Sequence, residues 1–170
     1  MNYHFQDLIP KDFSNNSKVW IYQSNRQFTI QETIAIKELL ESFATSWTSH
    51  GARVKGFANL FFGQFIIFMA DETATGVSGC STDSSVRLVK TIEQDHEVEL
   101  FDRQMLAFIV KERIQMMPLA QLNESIAAGL IGPETLYFNN TVLTLEDLLN
   151  KWIIPAKDSW LGKRFLLQDI

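Results

Sequence analysis

The chain has 170 residues, 46% of them hydrophobic, with 13 Phe and 4 Trp, so it can bury an aromatic-rich core. Fifteen Lys and Arg stand against twenty Asp and Glu, for a formal charge of −5. The scattered bases exclude the basic face by which nucleic-acid binders displace counterions. The single Cys excludes an internal disulfide and a thiolate zinc site.

The start, Met1-Asn2-Tyr3-His4-Phe5, has no basic residues ahead of an apolar run, so no secretory signal is expected. The most apolar stretch, Leu60 to Ala70, contains Gly63 and Gln64 and falls far short of the ~20 residues that span a bilayer. A cytoplasmic protein without a membrane partner is expected.

Residues 1–17 are a polar lead-in ending in Ser14-Asn15-Asn16-Ser17. Val19-Trp20-Ile21-Tyr22 reads as a first strand. Thr29 and Glu32 have the spacing of a capping box at the start of a helix. Its apolar stripe is Ile30, Ile34, Leu40, Phe43 and Trp47, widened by Ile36 and Leu39, and His50-Gly51 stops it. From Ala52 the period becomes two: Val54, Gly56, Ala58 and Leu60 share one face of a second strand. Phe62-Gly63-Gln64 is a tight turn into a third strand, Phe65 to Ala70. Val86, Val89 and Ile92 mark a second helix, and Leu106 to Val110 a fourth strand with Arg113–Met117 pairing back.

The order β-α-β-β-α-β predicts a ferredoxin-like core over 18–117. Strands 1 and 3 are then expected to be adjacent and parallel, with loops 23–26 and 71–82 at the same end of the sheet. Residues 118–170 form a C-terminal helix-strand-helix extension, expected to pack on the core within the same compact unit. Pro118 starts a helix closed by Gly129, Leu136-Tyr137-Phe138 is a strand, and Thr144-x-x-Asp147 opens a helix that Pro155 ends. Strands 1, 3 and 4 are apolar at nearly every position, which predicts that the second sheet face is covered.

The most unusual run is Ser78-Gly79-Cys80-Ser81-Thr82-Asp83-Ser84-Ser85. It opens a helix, where free N–H groups and the dipole favour an anion or a thiolate. The expected binding site is Gln23, Asn25 and Arg26 facing Ser78, Gly79, Cys80, Ser81 and Asp83, with Cys80 and Asp83 as candidate reacting groups. Any one of Ser81, Thr82 or Asp83 also suffices as a helix cap, and a lone Cys is often a small buried apolar residue, the outcome favoured for this sulfur. None of His4, His50 and His96 has a spacing that places a base beside Cys80, and they form no metal-ligand pattern. Asp71-Glu72 reads as a solvated strand-end pair.

The runs 19–26 and 78–85, with Leu100-Phe101-Asp102-Arg103, Phe138-Asn139-Asn140 and Pro155-Ala156-Lys157-Asp158-Ser159-Trp160, resemble a family of short bacterial proteins often labelled "ABC transporter ATPase". That label implies ATP hydrolysis. The chain has no phosphate loop and no Leu-Ser-Gly-Gly-Gln signature, so ATPase activity is not expected. Pro118-Leu119-x-x-Leu122, Ile126-x-x-Gly129-x-Ile131 and Thr135-Leu136-Tyr137 resemble half of a bacterial GYF-like module, which implies protein interaction through an aromatic surface.

Three functions fit these readings. One is a binding or regulatory module with an anion-type site. Another is an enzyme on a small anionic substrate, using Cys80 or Asp83. The third is an assembly protein using an apolar sheet face. The expected partner is a protein or a small anion, the chain a monomer or homodimer, and no cofactor is called for.

Overall fold

The computed structural model describes residues 3–166; positions 1–2 of the lead-in and 167–170 of the extension lie outside the described residues. In chain order the first elements are β1 (Lys18–Gln23), α1 (Ile30–Ser46), a short ribbon of β2 (Thr48–Ser49) and β3 (Ala52–Arg53), β4 (Lys55–Phe61), β5 (Phe65–Asp71) and α2 (Gly79–Asp95). There follow β6 (Met105–Val110), β7 (Arg113–Pro118), α3 (Leu122–Ala127), β8 (Leu136–Phe138), α4 (Leu145–Lys151), β9 (Ile153–Pro155) and α5 (Gly162–Leu166). The described residues divide into two compact units, 3–101 with 142–149, and 102–141 with 150–166.

The first unit holds a three-stranded sheet of order β1-β5-β4. Strands 1 and 3 of the sequence reading are adjacent, as expected, but antiparallel: Lys18 pairs with Ala70 and Gln23 with Phe65. The reason is the turn after β4. Phe62 (φ 54°) and Gly63 (φ 64°) reverse the chain at once, and Gln64 N–H donates to Phe61 O at 3.0 Å. The hairpin register runs from Phe61 opposite Phe65 to Lys55 opposite Asp71. The α1 crossover makes β1 and β4 run the same way, so a strand between them must oppose both.

The mixed α+β class holds; the ferredoxin-like order does not. Its fourth strand would lie beside β1, but Leu106–Val110 bonds to β7 and β8 instead. A hairpin partner two residues away costs far less chain entropy than a distant edge. Part of the space beside β1 is taken within the same unit. Val19 N–H donates to Leu143 O at 3.0 Å, Lys18 bridges Thr144, and Asn25 N–H donates to Glu99 O at 3.2 Å. The boundary therefore falls after Phe101 rather than after Met117.

Thr29 and Glu32 form the capping box that their spacing predicts, with Glu32 N–H on Thr29 Oγ1 at 3.2 Å and Thr29 N–H on Glu32 Oε2 at 2.7 Å. The buried stripe of α1 is narrower than predicted. Ile36 and Leu40 are buried with Tyr22, Ala58, Leu60, Ile66 and Phe68 of the sheet and Val89 and Ile92 of α2, whereas Ile30, Ile34 and Leu39 are exposed. Each large apolar side chain so buried contributes about 1.5–3 kcal/mol. The helix ends at Ser46, and His50-Gly51, both at positive φ, make the turn of the β2–β3 ribbon instead. Val19, Ile21, Phe61, Phe65, Ile67 and Met69 on the other sheet face are buried too, as the uninterrupted apolar runs predict.

The second unit is a four-stranded antiparallel sheet of order β7-β6-β8-β9. Its core gathers Leu106, Phe108, Met117, Leu122, Ile126, Tyr137 and Leu161. The helix predicted from Pro118 is a single 3-10 turn at Leu119–Gln121 followed by α3, closed by Gly129 at φ 71°. Strand β9 escapes the sequence reading because a three-residue run ending in Pro155 carries no period.

Lys111 (φ 48°) and Glu112 (φ 59°) turn the β6–β7 hairpin with both residues in the left-handed region, where Asn-Gly is favoured. Lys111→Asn with Glu112→Gly should raise the unfolding free energy by about 1 kcal/mol. A urea midpoint that stays put or falls would show the turn to be unstrained.

Candidate functional site

The antiparallel order separates the two halves of the predicted site. Gln23 ends β1 beside Phe65, whereas Ser78–Asp83 follow the other end of β5. Arg26 reaches α2 at its far end: Arg26 Nη2 donates to His96 O at 2.7 Å, at the C-cap. From Cys80 to that cap is roughly 25 Å along the helix.

The Gln23–Arg26 loop is a structural clasp. Asn25 Oδ1 accepts Glu99 N–H at 3.1 Å, and Gln23 is buried. Arg26 grips both oxygens of Glu32 at 2.9 Å, and His96 Nδ1 lies 3.5 Å from the same carboxylate. The Arg26 guanidinium and the Thr29 N–H hold Glu32 down to about 2.

At the start of α2 the hydroxyls are committed. Ser78 Oγ accepts Ser81 N–H at 3.2 Å and caps the helix. Ser81 Oγ donates to Thr48 O, Ser84 Oγ to Ser81 O and Ser85 Oγ to Thr82 O, each at 2.7 Å. Trp47 Nε1 donates to Ser81 O at 3.0 Å, and Ser78 N–H to Ser49 Oγ at 3.1 Å. These residues fasten α2 to the β2–β3 ribbon, which accounts for the excess of polar groups over one cap. Gly79 and Asp83 are exposed. Cys80 is exposed as well, correcting the expectation of a buried sulfur. A hollow of about 340 Å³ beside it is lined by His50 and Arg87. The ribbon turn thus places His50 on the lining of the same hollow as Cys80, which spacing alone does not predict.

Asp71 and Glu72 are not a solvated pair. Asp71 is buried and accepts Ser14 N–H at 3.0 Å, Thr73 N–H at 3.0 Å and Thr73 Oγ1–H at 2.8 Å, with Lys55 at 3.5 Å; these donors lower it to about 2. Glu72 takes Val77 N–H and Lys18, which lower it too. Groups held ionised this firmly are poor general acids.

Another hollow lies along β4. It has a volume of about 660 Å³, with Lys37, Glu41, Ala44 and Thr45 of α1 on one side and Asp12 and Phe13 on the other. The strand is the outer member of its sheet. Leu60 N–H is turned away from β5, since it donates to Asn59 Oδ1 at 2.8 Å. By the alternation of an antiparallel ladder, the N–H and C=O of Gly56 and Ala58 also face outward. They line the groove and meet no partner among the described residues. Lys55 fixes the Asp12–Phe13 wall, bonding Asp12 and lying 4.8 Å from the Phe13 ring. The sequence reading missed this site, whose one signal is the pair of small residues Gly56 and Ala58 at alternate positions of a strand.

Among the described residues no group of three or more His, Cys, Asp or Glu could hold a metal ion, and no helix is long and apolar enough to cross a membrane. Comparison with protein-family models, with curated proteins and with solved structures finds no match to the chain.

Glu32 sets a pH test of the clasp. Its folded pKa lies below its ordinary 4.5, so its contribution is full above that pH and fades as pH falls toward about 2. Arg26→Ala should therefore be less stable than the wild type near neutrality, with a gap that narrows across that window. Denaturant midpoints showing a constant gap would mean that Arg26 acts through its other bonds.

Proposed function

We propose that this chain is a non-catalytic binding module that captures an extended polypeptide segment by strand addition along β4. The observation that carries the reading is the outward row of backbone groups at Gly56 and Ala58, which meet no partner among the described residues and belong to residues lining a groove between α1 and Asp12–Phe13. An added strand gains main-chain hydrogen bonds there, while pockets for its alternate side chains supply choice. A single strand suits the slot between α1 and Asp12–Phe13; the full sheet edge of a second copy does not. The proposal goes with a cytoplasmic protein and with kinship to the short bacterial family, without nucleotide hydrolysis.

Random displayed peptides panned on the wild type test this. Ala58→Pro removes an outward N–H and fills the groove without breaking a rung to β5. Peptides enriched on the wild type should lose at least about tenfold in affinity on the variant, and amide shifts in the wild type should centre on residues 55–60. No enrichment, equal binding to both proteins, or shifts centred elsewhere would overturn the reading.

A second reading is supported by His50 and Arg87 beside the exposed Cys80: chemistry on a small anion in that hollow. Iodoacetamide should then alkylate Cys80 quickly at neutral pH, and phosphate or sulfate should slow it. Alkylation at the rate of a free thiol, indifferent to either anion, would reject this reading.

A further inference from the structure

We infer that the segment accepted along β4 carries acidic, basic and acidic side chains at alternate positions, Asp/Glu-x-Lys/Arg-x-Asp/Glu, with apolar residues at x. This rests on the strand-addition reading and names its ligand class.

The argument begins with the direction of α1. Its C-terminal end lies at the start of β4: Val54 N–H donates to Trp47 O at 3.0 Å, and a Cβ at Gly56 would meet Trp47 Cε3 at 2.6 Å. Ile36 and Leu40, further back along the helix, share their core with Ala58 and Leu60, further on in the strand. The helix therefore runs against β4, and its groove-lining residues pass the strand in reverse order.

Those residues alternate in charge. Lys37, Glu41 and Thr45 follow one another at i, i+4, and Arg53 Nη2 donates to Thr45 O at 2.5 Å, which sets a cation at the third position. An i, i+4 step along a helix advances about 6 Å. Two residues of an extended strand advance about 6.7 Å. Plus, minus and plus on the wall thus fall in step with successive same-face side chains of an added strand. Lys37, Glu41 and Arg53 have no ion-pair partner among the described residues, while Lys55 is engaged by Asp12 and Asp71. On the other face, half-buried Phe13 and Phe57 line the groove and suit apolar residues at x. The pattern reads the same in both directions, so it holds for a parallel or an antiparallel segment.

The probes are acetyl-Val-Glu-Val-Lys-Val-Glu-Val-amide and its charge inverse, acetyl-Val-Lys-Val-Glu-Val-Lys-Val-amide, titrated calorimetrically into the full chain. The first should bind about tenfold tighter at low salt, since each exposed pair contributes modestly, and the ratio should shrink toward one near 1 M salt. Lys37→Glu, Glu41→Lys and Arg53→Glu combined should invert the preference. Lys37→Glu with Glu41→Lys alone, which leaves the Arg53 bond intact, should reduce it. If both peptides bind equally and Ala58→Pro abolishes both, strand addition stands and the charge pattern falls. A preference that ignores the reversals also overturns the pattern. If neither peptide binds, the pattern falls, and the panned peptides decide strand addition separately.

Discussion

The complete burial of β5 is the constraint on which the first unit depends. All seven of its residues are buried, so each of its backbone groups must be paired inside the protein. That requires a strand on each side, and β1 and β4 supply them. The strand also ends on a charge. Asp71 is tolerated at such depth only because donors surround it, and those donors come from Ser14, Thr73 and Lys55. Satisfying this carboxylate draws residues 12–14 to the start of β4. One wall of the groove is thus a consequence of a buried charge at the end of the central strand.

The two outer strands of the sheet are treated differently. The edge of β1 is blunted by Leu143 and Thr144 at one end and by Glu99 beyond the other. Among the described residues, the edge of β4 is met by the Asn59 side chain, which occupies a single N–H. An uncovered edge is a template for any extended chain, and proteins usually cover it, charge it or shorten it. Here α1 and the Asp12–Phe13 wall restrict what can reach the edge rather than sealing it. That combination is what the strand-addition proposal rests on.

Local structure was legible where a short-range hydrogen bond decides it. Thr29 with Glu32, the Phe62-Gly63 turn and the strand at Leu136–Phe138 needed nothing beyond neighbours in sequence. The direction of β5 was legible in principle, since a tight turn after β4 forces it to oppose both neighbours; the parallel expectation overlooked that consequence. The membership of Leu106–Val110 was not legible. Its composition suits either sheet, and the choice rests on the nearby partner at 113–118. The α1 stripe was overcounted because Ile30 and Ile34 have the right period but the wrong phase, off the face that carries Ile36 and Leu40.

The predicted site was drawn to residues that carry chemistry, and the antiparallel sheet sets its two halves apart. Hydroxyls crowd the start of α2, yet their bonds go to Thr48, Ser81, Thr82 and one another. Along the outer edge of β4, the groups that meet no partner among the described residues belong to the backbone of a glycine and an alanine, which no motif records. Small size does two things at Gly56. With no Cβ, the strand lets Trp47 close over it, seating the end of α1 against β4. The same lack of a side chain leaves the outward N–H and C=O uncovered on the floor of the groove. Any larger residue there would push the helix wall away and shade the edge at once, so the packing of α1 and the accessibility of β4 depend on the same absent atom.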